Sequence, residues 1–249
     1  MNVEGNPSND AVIQSWSTYS RSMIEALGNE GDFARQHILN PHLFSLLGDL
    51  SGKTIMDAGC GHGYLSRLMA QRGARVYAIE PSENLYRYAI EQEQKTPLGI
   101  TYLQEDLTVM PSRTKLTDGF DALVANMVFM DIPDYEDAIH NCISLLKPGG
   151  SLIFSITHPC FEESSSEWET KGYVAVHEYL HEHTHPNLYG YTFHRPLSAY
   201  LNLLMRAGCT LQQIIEPGLA PELVEGQPAR ERSVHVPQFL LVHALRTRE

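Results

Sequence analysis

The chain has 249 residues, 43% of them hydrophobic and 19% charged, which is the composition of a soluble globular protein with enough length for a sizeable core. Its 30 acidic and 18 basic side chains leave a net charge of −12, which repels phosphate backbones and anionic membranes and points to a small-molecule substrate rather than nucleic acid. With no apolar run of about 18 residues, no secretory pattern in residues 1–10 and four scattered cysteines lacking a C-x-x-C pair, the expected setting is the cytoplasm, with no membrane association.

Residues 11–27 carry Val12, Trp16, Tyr19, Met23, Ile24 and Leu27 at near-helical spacing, and a second short helix is expected over 41–50. Alternation follows. Strands are expected at 54–58, 75–79, 100–104, 120–126 and 151–156, with helices at 64–72, 82–94 and 134–146 between them. Lys147-Pro148-Gly149-Gly150 should stop the last of these helices. Such alternation builds parallel βαβ units with right-handed crossovers. The rhythm breaks over 157–195, a stretch rich in His, Glu, Tyr and Ser that reads as a lid over the site. A helix at 196–207 and two last strands, 209–215 and 238–245, complete the chain. The expected organisation is one domain spanning 1–249, with a helical cap over 1–50 and the lid insertion at 157–195.

The first strand ends in Ile55-Met56-Asp57-Ala58-Gly59-Cys60-Gly61-His62-Gly63-Tyr64. Three glycines at alternate positions make a tight strand-to-helix turn on which a ligand can lie against bare backbone. The spacing is G-x-G-x-G, not the G-x-G-x-x-G of dinucleotide enzymes, and no Gly-Lys-Ser/Thr closes it as in a P-loop. In this motif the chain resembles the class I S-adenosylmethionine (SAM)-dependent methyltransferases.

In a doubly wound sheet the ligand lies beyond the carboxyl ends of the strands. Glu80 ends the second strand, where an acid can accept ribose hydroxyls of SAM or of NAD; beside this glycine turn, ribose binding is favoured over a solvated strand end. The resemblance implies that Asp106 accepts the adenine amino proton and that Leu107 supplies an amide and an apolar wall. It also implies that Gly59, Gly61 and Gly63 approach the methionine portion, with Asp57 organising its amino group and Asn126 at the fourth strand end beside it. Leu145–Phe154, with its Lys-Pro-Gly-Gly turn, matches the family's helix–turn–fifth strand element. The Asn/Asp-Pro-Pro-Tyr/Phe signature of amino-methyltransferases is absent. The implied fold is α/β, a Rossmann-like doubly wound seven-stranded sheet in the order 3-2-1-4-5-7-6 with the last inserted strand antiparallel.

Two residues are candidates for catalysis. His158 follows the fifth strand and could act as a base, or simply hold Pro159-Cys160 by hydrogen bonds; Tyr19 is the second. His177, His181, His183 and His185 share one parity, as on one strand face, and read as a polar lid face, with one or two as candidate substrate contacts, rather than a metal site, since no Cys or Asp/Glu spacing completes one. A metal-dependent catechol type would need clustered acids after the fourth strand, for which Asp131 and Asp134 are too thin a basis. Trp16 and Tyr19 on the cap, and Tyr173, Tyr179, Tyr189 and Tyr191 on the lid, could stack on a planar substrate or face a sulfonium, although packing is the commoner use. The expected reaction is in-line transfer of the SAM methyl to an O, N or C nucleophile of a small molecule, releasing S-adenosylhomocysteine (SAH). The alternatives are a non-catalytic SAM- or partner-binding protein and an NAD-linked oxidoreductase.

Overall fold

A computed structural model describes residues 6–110, 118–161, 167–187, 190–227 and 230–247. The cap differs from the single helix expected over 11–27. It forms α1 (Asn9–Trp16) and α2 (Arg21–Ala26), each begun by a serine whose hydroxyl accepts a backbone N–H: Ser8 from Ala11 and Ser20 from Met23, both at 3.3 Å. Serine competes with the helix ladder for backbone partners, so Ser17 and Ser20 break a pattern that apolar spacing alone would continue. Asn84 donates to the carbonyls of Ser17 and Tyr19 at the break, at 2.6 and 3.2 Å. A π-helical turn (Arg35–Leu39) then leads into α3 (Asn40–Leu47), which Gly48 ends at φ 63°.

The strands are β1 (Thr54–Ala58), β2 (Arg75–Ile79), β3 (Thr101–Leu103), β4 (Phe120–Asn126) and β5 (Leu146–Thr157). Between them run α4 (Tyr64–Gln71), α5 (Glu83–Lys95) and α6 (Tyr135–Leu145). β5 begins earlier than expected because Leu146 already pairs with Phe120; the Lys-Pro-Gly-Gly turn bulges out and pairing resumes at Ser151 against Ala122. The expected lid segment contains a short helix, α7 (Glu167–Lys171), and an unforeseen hairpin of β6 (His183–Asn187) with β7 (Gly190–His194). After α8 (Leu197–Arg206), β8 (Cys209–Ile215), α9 (Arg232–His235) and β9 (Phe239–Arg246) finish the chain.

The main sheet runs β3-β2-β1-β4-β5-β9-β8, parallel except for β9, which is antiparallel to both neighbours. This is the expected order, the strand inserted last in sequence lying second from the edge. Side chains alternate between two cores. Met56, Ala58, Leu123, Phe154 and Val242 face α6 and α8, whereas Ile55, Val76, Val124 and Ile153 face α3, α4 and α5. Asp57 has the parity of Ile55. That face, and not the sheet edge, decides where its carboxylate goes.

Candidate functional site

A cavity of about 240 Å³ opens beyond the carboxyl ends of β1, β2 and β4, beneath the cap helices. The glycine turn forms part of it. Gly59 and Gly61 line the cavity at φ 70° and 56°. A Cβ on Gly59 would lie 2.8 Å from the Val128 methyls, so the close approach itself requires glycine there. The space beside Gly61 is open. Gly63 (φ 79°) does another job: it starts α4 away from the cavity, where a Cβ would fall 2.6 Å from the Tyr102 hydroxyl.

Glu80 is buried on the cavity wall. One carboxylate oxygen accepts the Gly61 N–H at 2.8 Å and the other the Ser82 N–H at 2.9 Å. Burial pushes its pKa up to about 7, against the pull of those two amides. Asp106 and Leu107 lie on the same wall. Asp106 accepts the Thr108 N–H at 2.8 Å and the Asn9 side-chain amide, reaching down from α1, at 2.5 Å. Asn126 lies in the middle of a buried relay: Ser155 donates to its oxygen at 2.6 Å and its NH₂ donates to Tyr64 at 2.7 Å. Tyr64 in turn donates to Asn40 at 3.1 Å. Trp16 and Tyr19, stacked with centroids 5.5 Å apart, also line the cavity.

Three expected site residues are not brought to this cavity. Asp57 points to α4 and accepts from the Ser66 hydroxyl, its pKa raised to about 6 by burial. Gly63 packs against Tyr102 as described. His158 is buried elsewhere with both ring nitrogens engaged: Nε2 donates to Glu216 at 2.7 Å and Nδ1 accepts the Cys160 N–H at 3.1 Å. That is the loop-holding role, not the geometry of a base over a substrate. On the lid, Tyr173, Tyr179 and Tyr191 do not line the cavity, and Tyr179 instead accepts the Leu197 N–H at 2.9 Å; Tyr189 lies outside the described residues. His177 and His181 precede β6, so the shared parity is no common strand face. His183 stacks on His194 at 4.7 Å beside a void of only about 10 Å³, room for little more than a water molecule. Among the described residues no three His, Cys, Asp or Glu side chains gather as a metal site.

Several cavity residues gave no usable signal in the sequence. Asn9 sits in a polar leader, and the Asp32–Arg35 ion pair forms where the chain enters the π-helical turn. Met127 takes φ 61°, a conformation rare outside glycine, and is held there by its N–H donating to the Ser155 carbonyl at 3.0 Å. This turns the chain sharply after β4 and brings Asp131 back to the cavity wall. A non-glycine residue at positive φ cannot be read from a sequence.

Residues 56–154 match the family described as the methyltransferase domain. The ubiquinone biosynthesis O-methyltransferase of Coxiella burnetii is 33% identical over 129 residues, 51% of this chain and 54% of that protein. The chain therefore spans about half the length of this relative. An S-adenosylmethionine-dependent methyltransferase from Mesorhizobium loti superposes with a TM-score of 0.74 at 25% identity, covering 88% of this chain and all of that one. Over residues 56–154 in sequence, and over 88% of its length in fold, the chain is similar to SAM-dependent methyltransferases. The matched stretch holds Gly59, Gly61, Glu80, Asp106 and Asn126, but neither the cap nor the hairpin. The fold alone is not diagnostic of methyl transfer, since the [4+2]-cyclase SpnF shares it at 15% identity with a TM-score of 0.67.

Proposed function

We propose that the protein transfers a methyl group from SAM to a small-molecule acceptor and releases SAH. The observation that carries this reading is the convergence of Gly61, Glu80 and Asp106–Leu107 on one cavity, from three successive strand ends. The residues fit the donor. A carboxylate has about four lone-pair positions, and Glu80 uses one on each oxygen for Gly61 and Ser82, leaving two for ribose hydroxyls. Asp106 accepts the adenine amino group in place of the Asn9 amide, and buried Leu107 packs on the ring. Among the described residues Arg35 is the only lysine or arginine on the cavity wall, and it suits the methionine carboxylate. Asp32, Glu80 and Asp106 give that wall an acidic lining, which suits a sulfonium cation.

Bound SAM supplies an activated methyl group on sulfur. The protein therefore has mainly to align the acceptor and exclude water, and orientation can contribute roughly 7–11 kcal/mol. The cap helices and the aromatic pair Trp16–Tyr19 close the cavity towards solvent. The relatives' name favours a hydroxyl acceptor. The net charge of −12 argues against nucleic acid, and four free cysteines support a cytoplasmic setting. Among the described residues no helix is long and apolar enough to cross a membrane. Incubation with methyl-labelled SAM and a panel of phenols and amines tests the proposal: label should move to an acceptor as SAH forms. SAM bound tightly yet never demethylated across the panel would favour the non-catalytic alternative.

A further inference from the structure

One buried acid on the cavity wall has no task in holding the methyl donor. Asp131 closes the short 3₁₀ turn Phe129–Asp131 beyond β4 and is 8% exposed. Its carboxyl accepts one hydroxyl, from Thr192 on β7, at 3.1 Å. The turn that carries it is clamped by the residue that follows β7. Buried Arg195 donates to the carbonyls of Phe129, Ile132 and Pro133 at 3.2, 2.8 and 2.9 Å, with its guanidinium 4.0 Å from the Tyr135 ring centroid. Those donors go to backbone, so Arg195 fixes where the acid sits without pairing to it. A carboxyl held this rigidly in a largely apolar cavity, with one neutral donor, is short of hydrogen-bond partners. A ligand N–H or O–H would complete it.

Resting on the methyl-transfer reading, we propose that Asp131 binds the acceptor by its nucleophilic O–H or N–H and takes that proton during transfer, with Thr192 as a positioning residue. The acceptor heteroatom forms a bond to the methyl carbon as the carbon–sulfur bond breaks, its electron pair staying on sulfur. The proton passes from the heteroatom to Asp131, which later returns it to solvent. The acceptor class is then a small, neutral or cationic molecule with an ionisable hydroxyl or amine. Acceptors presenting a carboxylate or a carbon nucleophile to this acid are disfavoured. The insertion thus acts on the reaction through Thr192 and Arg195, not through Tyr173, Tyr179 or Tyr191, which lie off the cavity.

Asp131 titrates near pH 7, raised by burial, with the Thr192 hydrogen bond and the charges of Arg35 and Arg195 pulling the other way. Asp32, Glu80 and Asp106 share the cavity, and Glu80 titrates in the same range, so the variant and not the profile alone identifies the group.

The test uses SAH-loaded protein and three matched probes: catechol, benzylamine and benzoate. Catechol or benzylamine should bind and benzoate should not. Asp131→Asn should weaken that binding about tenfold or more while SAH affinity stays within about twofold. Probe affinity should fall below about pH 7 in the wild type and become flat in Asp131→Asn, and Thr192→Val should move the midpoint upward. With SAM and the tighter probe, Asp131→Asn should lower kcat by about 10²-fold or more. The proposal is overturned if benzoate binds as well as the others, if no probe binds, if the bound probe is not methylated, or if Asp131→Asn binds and turns over like the wild type. SAH failing to bind the wild type would instead remove the methyl-transfer reading itself.

Discussion

Glu80 joins two segments and faces the ligand space at once, because its oxygens accept amides from the glycine turn and from the start of α5. Its raised pKa, about 7, makes cofactor affinity pH-dependent. Ribose hydroxyls donate to the ionised form, so binding favours loss of the proton. SAM affinity should therefore rise with pH and level off above about 7, dropping about tenfold per unit below. Calorimetry at about pH 6 and pH 8 on wild type and Glu80→Gln checks this; equal slopes in both proteins would contradict it. His158 gives a contrasting residue-scale prediction. Both its nitrogens serve the loop after β5, so His158→Ala should lower stability by about 1–3 kcal/mol in denaturant unfolding. SAM affinity should not change.

At the scale of elements, α1 is a strap across the cavity. Asn9 ties its start to Asp106, Asn6 accepts from Thr184 of β6 at 2.6 Å, and Gly190 of β7 comes so close that a Cβ there would lie 2.6 Å from Ser15. Asn9→Ala should loosen this strap, and tryptic cleavage at exposed Arg21 should accelerate in the unliganded protein. An unchanged cleavage rate would show that Asn9 does not hold the strap. The sequence makes β1, β2, β4 and β8 legible with their ends, because their residues alternate between two faces or run apolar between turn residues. Asp57 could also have been placed, since it shares Ile55's face and so looks to α4. The cap break and the β6–β7 hairpin were not legible. Ser20 overrides an apolar period, and of the hairpin's described side chains only Phe193 and His194 are buried, so no hydrophobic alternation marks it. Asp131's role depends on Met127's positive φ and on partners about 60 residues away, neither of which local spacing encodes.

At the scale of the whole molecule, three buried acids among the described residues titrate well above their ordinary range: Asp57 at about 6, Glu80 and Asp131 at about 7. In the unfolded chain they titrate near 4. The folded state thus binds more protons between those limits, and their contribution to stability, full below about pH 4, is lost as pH rises through about 7. His62, depressed to about 4 by burial, works the other way: its contribution is present above about 6.5 and lost as pH falls through about 4. Denaturant midpoints at about pH 5 and pH 7.5 should fall less in a Glu80→Gln/Asp131→Asn double variant than in the wild type. Bound cofactor should offset the loss by occupying the cavity. The site thus trades some stability of the empty protein for carboxylates aimed at a ligand.

On the proposed reading, this cavity holds SAM through Glu80. Calorimetric titration with SAH, with NADH as the control ligand, tests it on wild type and Glu80→Ala. SAH should bind on the order of micromolar and NADH not at all, with a loss of about tenfold or more in the variant. Binding of NADH alone, or SAH affinity untouched by Glu80→Ala, would contradict that reading.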